Sequence, residues 1–266
     1  MEVPVAEQQI RFDDGAAYEE RMGKWSRLAG NVFLDWLAPG SNLRWVDVGC
    51  GNGAFTELIV ERCAPSAIQG IDPSSGQISY ARARPGAASS KFEVGDALGL
   101  PYDARSFDIA VMALVLFFVP DPVKAIAEMK RVVRTGGTVT AYVWDIFAGG
   151  LPHQEVRIQM HAIGQPTPVP PSSHVSGQNA LRDLWTDAGL EQVETREILV
   201  HRTYDDFDEY WNVCLLGHGV RPAIAAMSEA DAQAFQARIR ANLQVDASGR
   251  ITCAARANAV KGRVPR

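Results

Sequence analysis

An α/β architecture built on a doubly wound, mostly parallel sheet is predicted by three observations. The stretch LRWVDVGCGNG, Leu43 to Gly53, reads as a strand buried on both faces that runs straight into a glycine-rich turn, with a helical pattern directly after it. A second strand over Ala67 to Ile71 ends in a carboxylate, Asp72, 19 positions after Gly53. Strand and helix patterns then alternate as far as residue 145. Such alternation dictates right-handed crossovers, a parallel sheet and helices on both faces.

The elements follow in order. Residues 1–15 carry no pattern. From Tyr18 to Leu37 the spacing of Met22, Trp25, Leu28, Val32, Phe33 and Trp36 is helical, and Gly23 and Gly30 predict a break or two short helices. Pro39-Gly40 ends that element. Leu43, Trp45, Val46 and Val48 make the first strand. Gly49, Gly51 and Gly53 let the backbone turn sharply and approach a ligand. The helix carrying Phe55, Leu58, Ile59 and Cys63 then presents free N–H groups and a positive dipole end. After Asp72, Pro73-Ser74-Ser75 opens a helix with Ile78, Tyr80 and Ala81. Lys91 to Val94 is a short strand ending in Gly95-Asp96-Ala97, a second acid at a strand end, and Ile109 to Ala113 is a continuous apolar strand. Asp121 caps a helix with Pro122 at its first position; Gly136-Gly137 stops it, and Thr138 to Trp144 is the next strand.

From Asp145 to Ser176 the pattern lapses among glycines and prolines, with one helical run near Glu155 to Ala162; this stretch reads as a lid or insertion. Beyond it come a helix with Leu181, Leu184 and Trp185, a long strand over Gln192 to Tyr204 and an aromatic helix with Phe207, Tyr210, Trp211 and Leu215. A helix capped by Ser228 and Asp231 and a last strand over Ile251 to Val260 complete the chain. The expected division is a helical cap over 1–40, a core over 41–145, a lid over 146–176 and a substrate-side part of the same domain over 177–266.

Composition narrows the function. The chain has 266 residues, a net charge of -5 and a pI near 5.6, which speaks against nucleic-acid binding. Its four cysteines, Cys50, Cys63, Cys214 and Cys253, are scattered with no metal or disulfide spacing, so a reducing, cytoplasmic setting and no metal are expected. No signal-peptide pattern opens the sequence, and no apolar run reaches the ~20 residues needed to span a bilayer.

In a doubly wound sheet the ligand lies beyond the C-terminal strand ends, so Asp47, the glycine loop, Asp72, Asp96 and residues 113–116 should meet. Two cofactors suit a glycine turn followed by an acid, a nicotinamide dinucleotide and S-adenosylmethionine. The dinucleotide would leave residues 95–108 unexplained and would need room for a second nucleotide half.

Taken together, VDVGCGNG at 46–53, GIDPS at 70–74, GDALGLPY at 95–102, SFDIAV at 106–111 and MKRVVRTGGTV at 129–139 resemble the class I S-adenosylmethionine-dependent methyltransferases. The branch most similar contains ubiquinone/menaquinone C-methyltransferase-like (type 11) domains. The resemblance spans residues 18–145 and implies a Rossmann-like seven-stranded sheet closed by a final antiparallel strand. It also implies the site. The backbone around Asp47, Gly49, Cys50 and Gly51 would cradle the methionine portion. Asp72 would accept both ribose hydroxyls. Asp96 would take the adenine amino group and the Ala97 N–H a ring nitrogen, with Pro73 and Leu98 on the adenine faces. Ala113 and Leu114 would pass under the sulfonium. YEERMGKWS at 18–26 resembles a helix that caps the cofactor in some members, bringing in Tyr18 and Trp25.

Methyl transfer from a sulfonium is an in-line displacement, so the protein mainly aligns the partners and excludes water. A base is needed only where the acceptor must lose a proton. Where the family often carries a histidine after the fourth strand, this chain reads LVLFFVP, with Phe117 and Phe118. Asp145, His153, His161, His218 and Tyr210 lie near the expected lid, and none has a spacing that singles it out, so no catalytic residue is assigned. The expected function is methylation of a small, apolar or aromatic molecule on O, N or C, yielding S-adenosylhomocysteine, by a monomer or homodimer. A protein that binds the cofactor without transferring the methyl group is the alternative; a second cavity facing the sulfur would separate the two.

Overall fold

The computed structural model describes residues 19–165, 168–217 and 219–266. Its strands are β1 (Arg44–Val48), β2 (Ala67–Asp72), β3 (Lys91–Val94), β4 (Phe107–Ala113), β5 (Val133–Trp144), β6 (Glu191–Tyr204) and β7 (Ile251–Arg263). They form one sheet in the order β3-β2-β1-β4-β5-β7-β6. β1 to β5 pair in parallel, and β7 runs antiparallel between β5 and β6. The order reverses between β1 and β4, which puts the crevice for a ligand at their C-terminal ends. The helices are α1 (Lys24–Leu37), α2 (Ala54–Cys63), α3 (Ser75–Arg82), α4 (Pro122–Val132), α5 (Gln154–Ala162), α6 (Gln178–Asp187), α7 (Phe207–Leu215), α8 (Val220–Ala225) and α9 (Glu229–Asn242). Among the described residues no helix is long and apolar enough to cross a membrane.

Local chemistry sets most boundaries. Ser74 accepts from the Gln77 N–H and starts α3; Asp121 accepts from the Lys124 N–H, with Pro122 at the first helical position, and starts α4. Ser228 caps α9 through the Asp231 N–H. The central strands are buried on both faces, and Trp45, Val46, Ala110, Val111 and Met112 are fully inaccessible. Burying each large apolar side chain of this kind is worth roughly 1.5–3 kcal/mol.

Three local expectations change. α1 runs unbroken through Gly30, because that glycine is a packing site: a Cβ there would lie 2.8 Å from Leu58 Cδ2 and 3.1 Å from the Phe55 ring of α2. Without a side chain at Gly30 the two helices approach closely, and Phe33 reaches Phe55 and Tyr142. β5 starts at Val133, directly after α4, since Val133 pairs with Phe107 ahead of a register shift in the ladder. β7 continues to Arg263 because β5 and β6 both pair with it that far.

The end of the 145–176 stretch is held in place. Ser172 donates its N–H to Phe117 O and its hydroxyl to Val119 O, and Asn258 Nδ2 of β7 donates to Ser176 O. That tethers it to the segment leaving β4.

Gly137 sits where the chain enters the long part of β5. A Cβ there would fall 2.7 Å from Asp108 O and 2.5 Å from Val133 Cγ1. Gly137→Ala should therefore lower stability by about 1–3 kcal/mol through overpacking. Gly40→Ala, where nothing lies within 4 Å, should change it far less; urea unfolding monitored by circular dichroism checks both.

Candidate functional site

The glycine loop is fastened to the end of β2. Gly49 and Cys50 both donate to Ile71 O, at 2.7 and 3.0 Å, and the Gly51 N–H donates to Asp72 Oδ2 at 2.9 Å. The other Asp72 oxygen accepts the Ser74 N–H at 2.9 Å. One carboxylate thus ties the loop to the start of α3, and each oxygen keeps a further acceptor direction.

The three loop glycines differ in what surrounds them. A Cβ on Gly49 would lie 2.4 Å from Val115 Cγ1, and one on Gly53 would lie 3.0 Å from the Ala81 Cβ. Gly51 also has a left-handed backbone, φ +53°, yet none of the described residues lies within 4 Å of its Cβ position. Among the described residues Gly51 therefore borders open space beside Asp72, a cradle suited to the backbone approach of a ligand.

Asp47, at the end of β1, is fully buried. Thr56 donates to its Oδ2 at 2.6 Å, and its Oδ1 has no partner among the described residues. Burial pushes its carboxyl up to about 7, with the Thr56 bond pulling the other way and Asp72 adding a smaller push. An orphaned buried oxygen beside an open cradle suits a cationic group on a ligand.

Asp96 leaves β3 beside this site, because the Gly95 N–H donates to Asp72 O. Its Oδ1 accepts the Leu98 N–H at 2.9 Å, and the side chain is exposed. Ala97 and Leu98 are half-buried and Pro73 is exposed. The Cys50 side chain is buried behind the loop near Gly70, so Cys50 offers its backbone outward. Ala113 is half-buried, and Leu114 holds a left-handed backbone, φ +62°, with its N–H on Tyr142 O. A leucine is held so only where its surroundings over-determine it.

Beyond Leu114 lies a cavity of about 140 Å³. Phe117, Phe118, Trp144, Ile146 and Val156 supply mostly apolar walls, and Arg21, His153 and Arg157 the polar groups. Met112 and Leu116 belong to the core instead. Trp25 is fully buried behind His153: its Nε1–H donates to the Tyr204 hydroxyl at 3.2 Å, and that hydroxyl lies 2.7 Å from His153 Nε2. Burial, with Arg21 and Arg202 nearby, pushes the His153 imidazole down to about 3.

The N-terminal segment joins both halves. Glu19 accepts from Asn52 of the glycine loop and from Arg84, while Trp25 packs toward the cavity. Tyr18 and His218 lie outside the described residues. Of the other groups near the expected lid, Asp145 is paired with Arg256 and His161 is exposed. Glu19 and Arg21 lay only within the resemblance at 18–26, and Arg157 and Tyr204 carried no readable signal: each sits in an ordinary helical or strand pattern, and only packing gathers them. Among the described residues no group of three or more His, Cys, Asp or Glu side chains could hold a metal ion.

The two displaced titrations act in opposite directions on stability. Between pH about 4 and about 7 the folded state keeps a proton on Asp47 that the unfolded chain has lost, so rising pH destabilises. Between about 3 and about 6.5 the unfolded chain protonates His153 while the fold does not, so rising pH stabilises. Asp47→Asn should therefore leave a melting temperature that climbs across this window, and His153→Gln one that falls, measured by thermal denaturation from pH 4 to 7.5 without ligand.

Residues 46–141 match the family described as "Methyltransferase domain". A 2-methyl-6-phytyl-1,4-hydroquinone methyltransferase of Oryza sativa subsp. japonica is 39% identical over 95 residues, 36% of this chain and 27% of that protein. An aklanonic acid methyltransferase of Streptomyces sp. (strain C5) is 29% identical over 144 residues, 52% of this chain and 65% of that one. The chain thus spans less than two thirds of the length of these relatives. In fold it is similar to a Haemonchus contortus phosphoethanolamine N-methyltransferase solved with S-adenosyl-L-methionine, with a TM-score of 0.59 at 16% identity over 95% of this chain and 57% of that one. The motifs, the sheet order with its antiparallel β7 and the matched domain agree: residues 46–141 form a methyltransferase domain of the class I S-adenosylmethionine-dependent kind, in its type 11 branch.

Proposed function

We propose that this protein transfers a methyl group from S-adenosylmethionine to an apolar small molecule seated in the cavity beyond Leu114. The observation that carries this is the cavity itself: Leu114, just past the end of β4, lines it, and the next residue, Val115, packs against Gly49 of the glycine loop, so the two sites are neighbours along the chain. Relatives named for a phytyl hydroquinone and for aklanonic acid support a small-molecule acceptor. A binder without transfer would have no use for this second space.

The residues fit the cofactor. Asp72 has acceptor capacity left for the ribose hydroxyls, and charged acceptors strengthen such bonds. The open face of Gly51 and the orphaned Asp47 Oδ1 suit the methionine portion and its ammonium. Asp96, the Ala97 N–H, Pro73 and Leu98 surround the place for adenine, and Ala113 and Leu114 the place for the sulfonium. In the proposed cap, Glu19 reaches Asn52 of the glycine loop, while Trp25 packs against His153 on the cavity side. The bound cofactor supplies an electrophilic methyl group and leaves as S-adenosylhomocysteine. The chain's own part is to hold the acceptor in line and keep water out.

Titration calorimetry tests the cofactor half. Wild type should bind S-adenosylmethionine and S-adenosylhomocysteine in the micromolar range, about -8 kcal/mol, and NAD far more weakly. Asp72→Ala should weaken both by about tenfold or more, having lost charged hydrogen bonds. Binding of NAD alone would overturn the proposal.

A further inference from the structure

We infer that the cavity takes an apolar acid, its carboxylate held by Arg157 and by the Nδ1–H of His153. This rests on reading the cavity as the acceptor site, and it names the class of acceptor.

Arg157 projects from α5 onto the cavity and is half-buried. Among the described residues it has no hydrogen bond and no acid partner, and another cation, Arg21, is close enough to act on it. Burial and Arg21 together lower its pKa. The acids in the vicinity are engaged elsewhere. Glu155 accepts from Gln159 and Asn242, Asp145 pairs with Arg256, and Glu209 lies 3.9 Å from both Lys24 and Arg202. Among the described residues no carboxylate lines the cavity. A guanidinium is rarely buried without an anion, because its desolvation is otherwise uncompensated.

His153 points to the same ligand. The Tyr204 oxygen accepts from Trp25 Nε1, which can only donate. The phenol proton therefore goes to its remaining neighbour, His153 Nε2, at 2.7 Å. That assigns the imidazole proton to Nδ1, the nitrogen with no partner among the described residues. The side chain is 5% exposed and stays neutral, so it is a donor and not a base.

Among the described residues the charged and imidazole side chains on the cavity, Arg21, His153 and Arg157, are then all donors, set in apolar walls. A cation would be repelled there, and a neutral ligand would leave Arg157 unpaired. A carboxylate offers planar, bidentate acceptors that match the guanidinium fork. An acceptor that arrives already ionised also removes the need for a general base, consistent with the donor role of His153.

Calorimetry with 1-naphthoate, 1-naphthamide and 1-naphthylmethylammonium, with and without S-adenosylhomocysteine, tests this. Naphthoate should bind wild type about tenfold or more tighter than naphthamide, as expected for a charge-assisted pair, and the cation should bind more weakly than either. Arg157→Met keeps the apolar stem and should reduce that preference to about twofold or less, with its melting curve checking the fold. Equal binding of naphthoate and naphthamide by wild type, absence of naphthoate binding, or an unchanged preference in Arg157→Met would each overturn the inference. Binding of S-adenosylhomocysteine without acid preference would sink this inference alone; acid preference without S-adenosylhomocysteine binding would sink the methyltransferase proposal and leave the acid site standing.

Discussion

The carboxylate of Asp72 holds the site together. By accepting the Gly51 and Ser74 amides at 2.9 Å each, it joins the glycine loop after β1 to the start of α3 after β2. Backbone amides in a turn need acceptors when partly buried, and a charged oxygen satisfies them better than a neutral one. The bond from Gly51 also keeps that residue left-handed with its outer face clear, which gives the loop room for a ligand. Burial raises the Asp72 pKa while the Ser74 and Gly51 amides lower it, so the same contacts that shape the loop favour the charged form.

Around this clamp the polar residues are split into two sets of opposite chemistry. Acceptors gather at the ends of β1, β2 and β3, where Asp47, Asp72 and Asp96 lie and Asp72 binds the loop itself. Donors gather beyond β4, where Arg157 and His153 face the cavity. Leu114 lies at the boundary, its backbone turned left-handed by the Tyr142 carbonyl. That division agrees with the proposed pairing of a cationic, hydroxyl-rich cofactor on one side and an anionic, apolar partner on the other.

The buried chain Trp25–Tyr204–His153 joins three parts of the sequence: α1, the end of β6 and the N-cap of α5. Each member satisfies the next, so the imidazole is oriented by groups that are themselves packed. Tyr204 is held further by the Arg202 guanidinium, 4.4 Å from its ring. Such a chain makes the position of α5, and with it Arg157, depend on the N-terminal helix.

The α/β class, the alternation from 43 to 145, the glycine loop and the three acids at strand ends were legible because each is a local pattern. Strand burial, tight βα turns and helix caps are written in neighbouring residues, and Asp121-Pro122 and Ser74 act as the chain suggested. Gly30 misled, because a glycine that breaks a helix and one that lets two helices touch read alike in one dimension. The donor pocket was illegible for the same reason. Arg157 and the N-cap residue His153 belong to α5 and Tyr204 to β6, and their chemistry appears only where packing removes water and leaves a guanidinium without an anion among the described residues. By itself the sequence determined the sheet's parallel core and the glycine loop with its neighbouring acids, since both rest on short-range backbone requirements. Only the tertiary structure decided the cavity beyond Leu114, since it depends on which distant side chains are buried together.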